Sequence, residues 1–209
     1  MNKKKQMIII AVICLIPLIA GIVLYSRIPD TIATHWGGNG EPNGFSSKFI
    51  GIIILPLALS LLSIFMPKLI DLDPTNKNMN DKLRNSIIWI LPVICFMCSS
   101  ITLLSALGKQ IRIEIVVPLI VGIMIVLIGN YLPKAKQSYT VGIKIPWTLN
   151  DEENWNKTHR LGGFLFVLGG LAMAISSFFK CRVVVMLITI FVIAIVPIIY
   201  SYILYRNKK

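Results

Sequence analysis

Ionisable side chains are scarce in this 209-residue chain. Asp, Glu, Lys and Arg make up 14% of it, where a soluble domain carries about one quarter. Charge that sparse cannot cover a water-facing surface, so much of the surface must meet lipid. Acidic residues are scarcer still: nine Asp and Glu stand against 21 Lys and Arg, a net charge of +12. In a soluble protein that excess would point to nucleic acid. Here the cations fall between apolar runs, where they set topology and meet anionic headgroups. Membrane lipids, not nucleic acid, are the expected direct partner. Histidine is limited to His35 and His159, which leaves little for a zinc hydrolase to use. The chain also lacks HExxH, GxSxG and P-loop patterns, so neither an enzyme activity nor a cofactor is expected. Of the four cysteines, Cys14, Cys95 and Cys98 sit inside apolar runs and only Cys181 falls in a loop. That arrangement gives no disulfide framework. Cys95 and Cys98 are three apart and would share a helix face, but two small apolar residues read as packing before they read as a redox pair.

What the chain has in abundance is apolar sequence: 56% hydrophobic residues and a mean hydropathy of +0.77. Six runs stand out, at 7–25, 49–66, 87–107, 115–132, 161–179 and 183–205. None contains Asp, Glu, Lys, Arg or His. Eighteen residues at about 1.5 Å each reach roughly 27 Å, enough for the hydrocarbon core. The expectation is an all-α polytopic membrane protein with six transmembrane helices. Lys3-Lys4-Lys5 before the first run resembles a secretory leader, but the run is long and lacks a small-residue cleavage pattern, so it reads as an uncleaved helix.

Lys and Arg between the runs orient the chain. Lys3–Lys5, then Lys68, Lys77, Lys82 and Arg84, then Lys134, Lys136, Lys144, Lys157 and Arg160, then Arg206, Lys208 and Lys209 put fifteen on one side. Arg27, Lys48, Lys109, Arg112, Lys180 and Arg182 put six on the other. Both termini are therefore expected in the cytoplasm. Pro17, Pro56, Pro92, Pro118 and Pro197 lie inside five of the runs; each removes a backbone bond and favours a kink. In the fifth run Gly170, Ala174 and Ser177 form a small-residue face that would let a neighbouring helix approach. The intramembrane hydroxyls Ser63, Ser99, Ser100 and Thr102 leave open a second class, a small transporter or channel, although such hydroxyls usually bond their own helix or a neighbour. The absence of intramembrane ionisable groups argues against proton coupling. Two regions suggest themselves: 1–84, with two helices and a structured extracellular loop over 26–48, and 85–209, with four helices and a cytoplasmic loop over 133–160.

Those two loops are the least generic parts of the chain. The first packs Gly37, Gly38, Gly40 and Gly44 with Asn39, Pro42 and Asn43, residues that specify turns. A compact interfacial loop anchored by Trp36 and Phe45 would explain it without a ligand. A recognition surface would use His35, Trp36, Asn39, Glu41 and Asn43. In the second loop Tyr139–Lys144 can run extended, and Pro146 should stop any helix. Asn150-x-x-Glu153 fits a capping box for a short helix leading into the fifth run. Trp155 and His159, four apart, share a face of it, while Trp147 and Trp155 suit the headgroup zone. The plain reading is a membrane-lying elbow. The functional one is a surface on which a cytoplasmic protein docks.

At these two loops the chain resembles the SdpI family of bacterial immunity and signalling membrane proteins. In the C-terminal half the likeness rests on Val141-Gly142-Ile143-Lys144-Ile145-Pro146-Trp147-Thr148-Leu149, Trp155, Thr158-His159-Arg160 and Gly163. In the N-terminal half it rests on Ile28-Pro29, His35-Trp36, Asn39-Gly40-Glu41-Pro42-Asn43-Gly44 and Ser47-Lys48, which resemble a domain of unknown function associated with that family. Lys144-Ile145 departs from the Arg-Thr of the family pattern; the charge stays, while bidentate geometry and a hydroxyl are lost. The resemblance implies a multi-pass protein of the bacterial plasma membrane that protects its cell against a secreted peptide toxin. It further implies sensing of that toxin and retention of a cytoplasmic transcriptional repressor. The toxin would meet the 26–48 loop or the lipid-exposed helices. The repressor would dock around Lys144, Pro146, Trp147, Thr148, Trp155, His159 and Arg160.

Overall fold

A computed structural model describes residues 3–72, 74 and 81–208, with the side chains of Lys3 and Asp81 excepted. Lys77 and Lys209 of the charge pattern lie outside the described residues. The elements run α1 (Lys3–Val23), a β-hairpin of β1 (Thr31–Trp36) and β2 (Pro42–Ser47), α2 (Leu55–Leu72), α3 (Asp81–Ala106), α4 (Ile113–Tyr131), the one-turn α5 (Pro146–Leu149), α6 (Glu152–Ser176) and α7 (Arg182–Arg206). Six of these helices are long and apolar enough to cross a membrane, and the protein is an all-α polytopic membrane protein apart from its one small hairpin. The burial pattern is that of lipid-facing helices: Ile8, Val12, Ile16 and Ile19 expose one stripe of α1, while Ile10 and Cys14 are buried. On α7, Val184, Leu187, Ile188 and Phe191 are likewise exposed.

The chain divides into two compact units, Met1–Leu69 with Ile88–Glu114, and Ile70–Ile87 with Ile115–Lys209. In the first, Ile28, Ile32, Ile52 and Leu103 form a buried apolar cluster bordered by Ala20, Tyr25 and Ala106. It seats the hairpin on α1 and α3. Between hairpin and α2 lies a π-turn over Ile50–Ile54, in which the Leu55 amide bonds the Ile50 carbonyl. This wider turn places Pro56 directly after it, where a residue without an amide hydrogen and with a bulky ring is accommodated. Pro67 is a further proline inside α2. Cys95 is fully buried and Cys98 exposed, so the two thiols do not share an environment as their spacing suggested.

In the second unit α6 lies along α7, the antiparallel pair that the short 180–182 connection requires. Against α4, α6 presents glycine: a Cβ on Gly170 would come within 2.6 Å of the Gly122 carbonyl oxygen, and one on Gly122 within 2.7 Å of the Gly170 carbonyl oxygen. No larger side chain fits between those backbones. A bidentate Arg84–Asp71 pair, with both N–H···O distances 3.1 Å, joins the starts and ends of the adjoining helices.

Candidate functional site

The 26–48 loop is an antiparallel hairpin, more ordered than its glycine content suggested. Thr31 pairs with Ser47, Ala33 with Phe45 and Trp36 with Pro42, and irregularities on either side of His35 shift the register. Lys48 holds the base. Its ammonium contacts Asp30 at 2.9 Å, donates to the Ile28 carbonyl at 3.3 Å and lies 4.9 Å from the centre of the Tyr25 ring. At the tip the Gly37 amide donates to the Glu41 carbonyl at 2.9 Å, and the Asn39 amide nitrogen donates to the Glu41 carboxylate at 2.6 Å. His35 hydrogen-bonds Asn43 across the strands. Of the five residues expected here, His35, Asn39, Glu41 and Asn43 are exposed and Trp36 is half-buried. They form one surface, pre-ordered by bonds among themselves. Phe45 and Phe49 are exposed beside it.

The 133–160 loop is built differently. Thr148, Trp155 and His159 have no exposed surface, so these three expected docking residues are internal supports of the loop. Trp155 is thereby also corrected from a headgroup anchor to a core residue. Its indole N–H donates to the Ala135 carbonyl at 2.7 Å, and its ring stacks on His159 with centroids 3.9 Å apart. The His159 Nε2 accepts the Ile143 amide hydrogen at 2.9 Å. Nε2 must therefore be unprotonated, and Nδ1 carries the hydrogen that it gives to the Trp155 carbonyl at 2.8 Å. Gly142, at φ +127°, passes over both rings; a Cβ there would fall 2.5 Å from His159 Nε2 and 2.7 Å from the Trp155 ring. Glycine alone suits that backbone and that gap.

Thr148 fastens the other end of the segment. Its hydroxyl donates to the Ile143 carbonyl at 2.8 Å and accepts the Ile145 amide at 3.1 Å. Pro146 consequently opens the single turn of α5 and does not terminate a helix; proline suits a first helical position because its missing N–H is not needed there. The N-cap of α6 is Asp151, one residue past the expected Asn150: its side chain accepts the Glu153 and Asn154 amides. From there α6 runs without interruption through the fifth apolar run, so the helix expected to begin near Asn150 is the first part of α6.

The sequence reading missed Asn154 and Ser201. Asn154 is buried; its amide donates to the Ser201 carbonyl at 2.9 Å, and its oxygen accepts Ser201 at 2.6 Å and Thr158 at 3.0 Å. Asn154 lies one residue before Trp155 and four before Thr158, the spacing of a common buried face, which was the available signal. Of the residues expected to dock a partner, Lys144, Pro146 and Arg160 are exposed and Trp147 is half-buried. Lys144 donates to the Tyr139 and Thr140 carbonyls at 3.1 and 3.3 Å. Trp147 packs edge-on to Tyr202 at 5.1 Å and near Tyr205 at 6.0 Å. Lys208 sits between Asp151 and Glu153, 2.7 Å from each. It holds the Asp151 carboxyl below its ordinary range, and its own ammonium is raised in turn. Among the described residues, no three His, Cys, Asp or Glu side chains converge as a metal site would.

Comparison with known proteins meets the chain at these same loops. The SdpI/YfhL protein family matches residues 134–201, and a domain of unknown function (DUF1648) matches residues 12–59. The "Immunity protein SdpI" of Bacillus subtilis (strain 168) is 28% identical over 207 residues, covering 98% of this chain and 97% of that protein. An uncharacterized protein of Archaeoglobus fulgidus is 40% identical over 58 residues, 28% of this chain and 29% of that one. No solved structure matches. With the supports of the second loop inside the family match, and likeness to an SdpI protein running along nearly its whole length, the chain is similar to the SdpI family at both loops.

Proposed function

We propose that this protein is an immunity protein of the bacterial plasma membrane that protects its cell from a secreted peptide toxin. The observation that carries the reading is the near full-length likeness to an immunity protein. It is supported by the two ordered loops, whose exposed residues are suited to recognition. In this reading the hairpin faces outward and its tip residues His35, Asn39, Glu41 and Asn43, flanked by Trp36, meet the toxin. The 133–160 loop faces the cytoplasm, where Lys144, Pro146, Trp147 and Arg160 offer a surface to a transcriptional repressor. Thr148, Trp155 and His159 act only by holding that surface in shape.

Expression in a toxin-sensitive strain tests the central claim: survival should rise with membrane-inserted protein. Unchanged killing by every candidate peptide, with insertion confirmed, would reject immunity. The orientation is checked with single cysteines at the exposed positions Glu41 and Asn156, after replacing the native cysteines. An impermeant reagent applied outside should label the first and not the second. The reverse would overturn the assignment of both loops. Retention of a repressor is tested separately, by its membrane fraction before and after Lys144→Ala with Arg160→Ala; no change would remove that role.

A further inference from the structure

One recess of the second unit adjoins the surface offered to the repressor, sharing Pro146 and Trp147 with it, and has features that a protein partner does not account for. It encloses about 380 Å³ and is lined by Pro146, Trp147, Asn150, Asp151, Tyr205 and Lys208, a size in the range of small-ligand sites. It lies at the end of α7, where that membrane-spanning helix gives way to polar sequence. One wall is aromatic: Trp147 against Tyr205, with Tyr202 behind. The opposite side pairs a carboxylate with an ammonium. Lys208 gives two donors to Asp151 and Glu153, and an ammonium has three. The face of α7 that carries Tyr202 and Tyr205 is exposed and apolar farther along the helix, at Ile198, Ile195 and Phe191.

We propose that this recess binds the headgroup of a zwitterionic aminophospholipid, phosphatidylethanolamine being the type. The ethanolamine ammonium lies against the Trp147 and Tyr205 rings and donates to Asp151. The phosphate takes the remaining donor of Lys208. The acyl chains descend along Ile198, Ile195 and Phe191. The site selects by charge. Phosphatidylglycerol brings a phosphate without a cation, so it leaves the aromatic wall unused and sets a net negative charge beside Asp151, Glu152 and Glu153. Phosphatidylcholine keeps the cation but has no N–H for Asp151. The expected order is ethanolamine, then choline, then glycerol headgroup. The inference goes beyond the immunity reading and stands without it.

The test is native mass spectrometry of the full chain in mild detergent, mixed with equal amounts of phosphatidylethanolamine and phosphatidylglycerol. The wild type should retain one phosphatidylethanolamine in preference. Lys208→Met and Trp147→Leu should each lower that retention roughly tenfold, since each removes one charged or cation–π contact. Tyr139→Ala, an exposed aromatic outside the recess, should not. Melting curves establish that each variant is folded; should Trp147→Leu fail that check, Lys208→Met decides. Equal retention of the two lipids, or wild-type retention in Lys208→Met, overturns the proposal. Water-soluble phosphoethanolamine in tenfold excess should leave the lipid bound. Its displacement of the lipid would overturn the lipid assignment in favour of a free headgroup.

Discussion

Replacing His159 with phenylalanine separates what the ring does by packing from what its nitrogens do. Phenylalanine keeps the ring that stacks on Trp155 at 3.9 Å. It removes the acceptor of the Ile143 amide and the donor to the Trp155 carbonyl. The second loss is small, about 0.5–1.5 kcal/mol, because that carbonyl keeps its helical bond. The first is larger: it leaves the Ile143 amide facing a hydrocarbon edge, at about 1–3 kcal/mol. The more apolar ring returns about 1 kcal/mol. The net expectation is a destabilisation of about 2 kcal/mol. His159→Ala also loses the stack and opens a cavity, so it should cost about 3–5 kcal/mol. Unfolding in mild detergent gives the ordering, and amide exchange at Ile143 gives the cause. Wild-type stability with a protected Ile143 amide in His159→Phe would refute the assigned bond. Equal losses in the two variants would show that the stacked ring adds nothing.

Asn154→Leu should cost about 2 kcal/mol, three bonds at roughly 0.6 kcal/mol each in a membrane setting; a double-mutant cycle with Ser201→Ala should show coupling in detergent unfolding, where additivity would deny it. Gly170→Ala should destabilise by about 1–3 kcal/mol because α4 must move off its backbone contact, whereas Gly170→Val should yield little folded protein by size exclusion. Lys48→Met should raise amide exchange in both hairpin strands by the equivalent of about 1–2 kcal/mol. Asp30→Asn should do less, since Asp30 is 94% exposed and its pairing is screened. The Asp151–Lys208 contact gives a pH dependence of known sign. The carboxyl is held low chiefly by its bond to Lys208, so its contribution is complete above the ordinary carboxylate range and disappears as pH falls through the lowered value. Melting temperature in acid should therefore drop less for Lys208→Met than for wild type.

The membrane spans were readable because a single quantity, apolar length, decides them, and lipid enforces it along the whole run. The loops obey no such quantity. Gly37 to Gly44 announces tight turns, but whether they close a hairpin depends on Ile32 reaching the apolar cluster with Ile52 and Leu103, twenty and seventy-one residues away. Asn150 and Asp151 are both good caps by type; Asp151, which takes the role, also pairs with Lys208, 57 residues away, a contact that local sequence does not show.

The docking residues show most clearly where reading by residue type stops. Trp155 and His159 share a face as their spacing says, and that much needs only helix geometry. Which way the face points was set by Ala135 and Ile143, whose backbone groups supply the partners that let a tryptophan and a histidine be buried. A sequence motif marks such residues without saying whether a partner touches them or they merely shape what it touches. Burial separates the two. A buried residue can affect recognition only through the shape of the loop, so His159→Phe should reduce repressor retention and Ile143 amide protection together. An exposed residue such as Arg160 can affect the first without the second. Retention lost in His159→Phe while Ile143 stays protected would mean that the partner reaches His159 itself, and that the loop opens on binding.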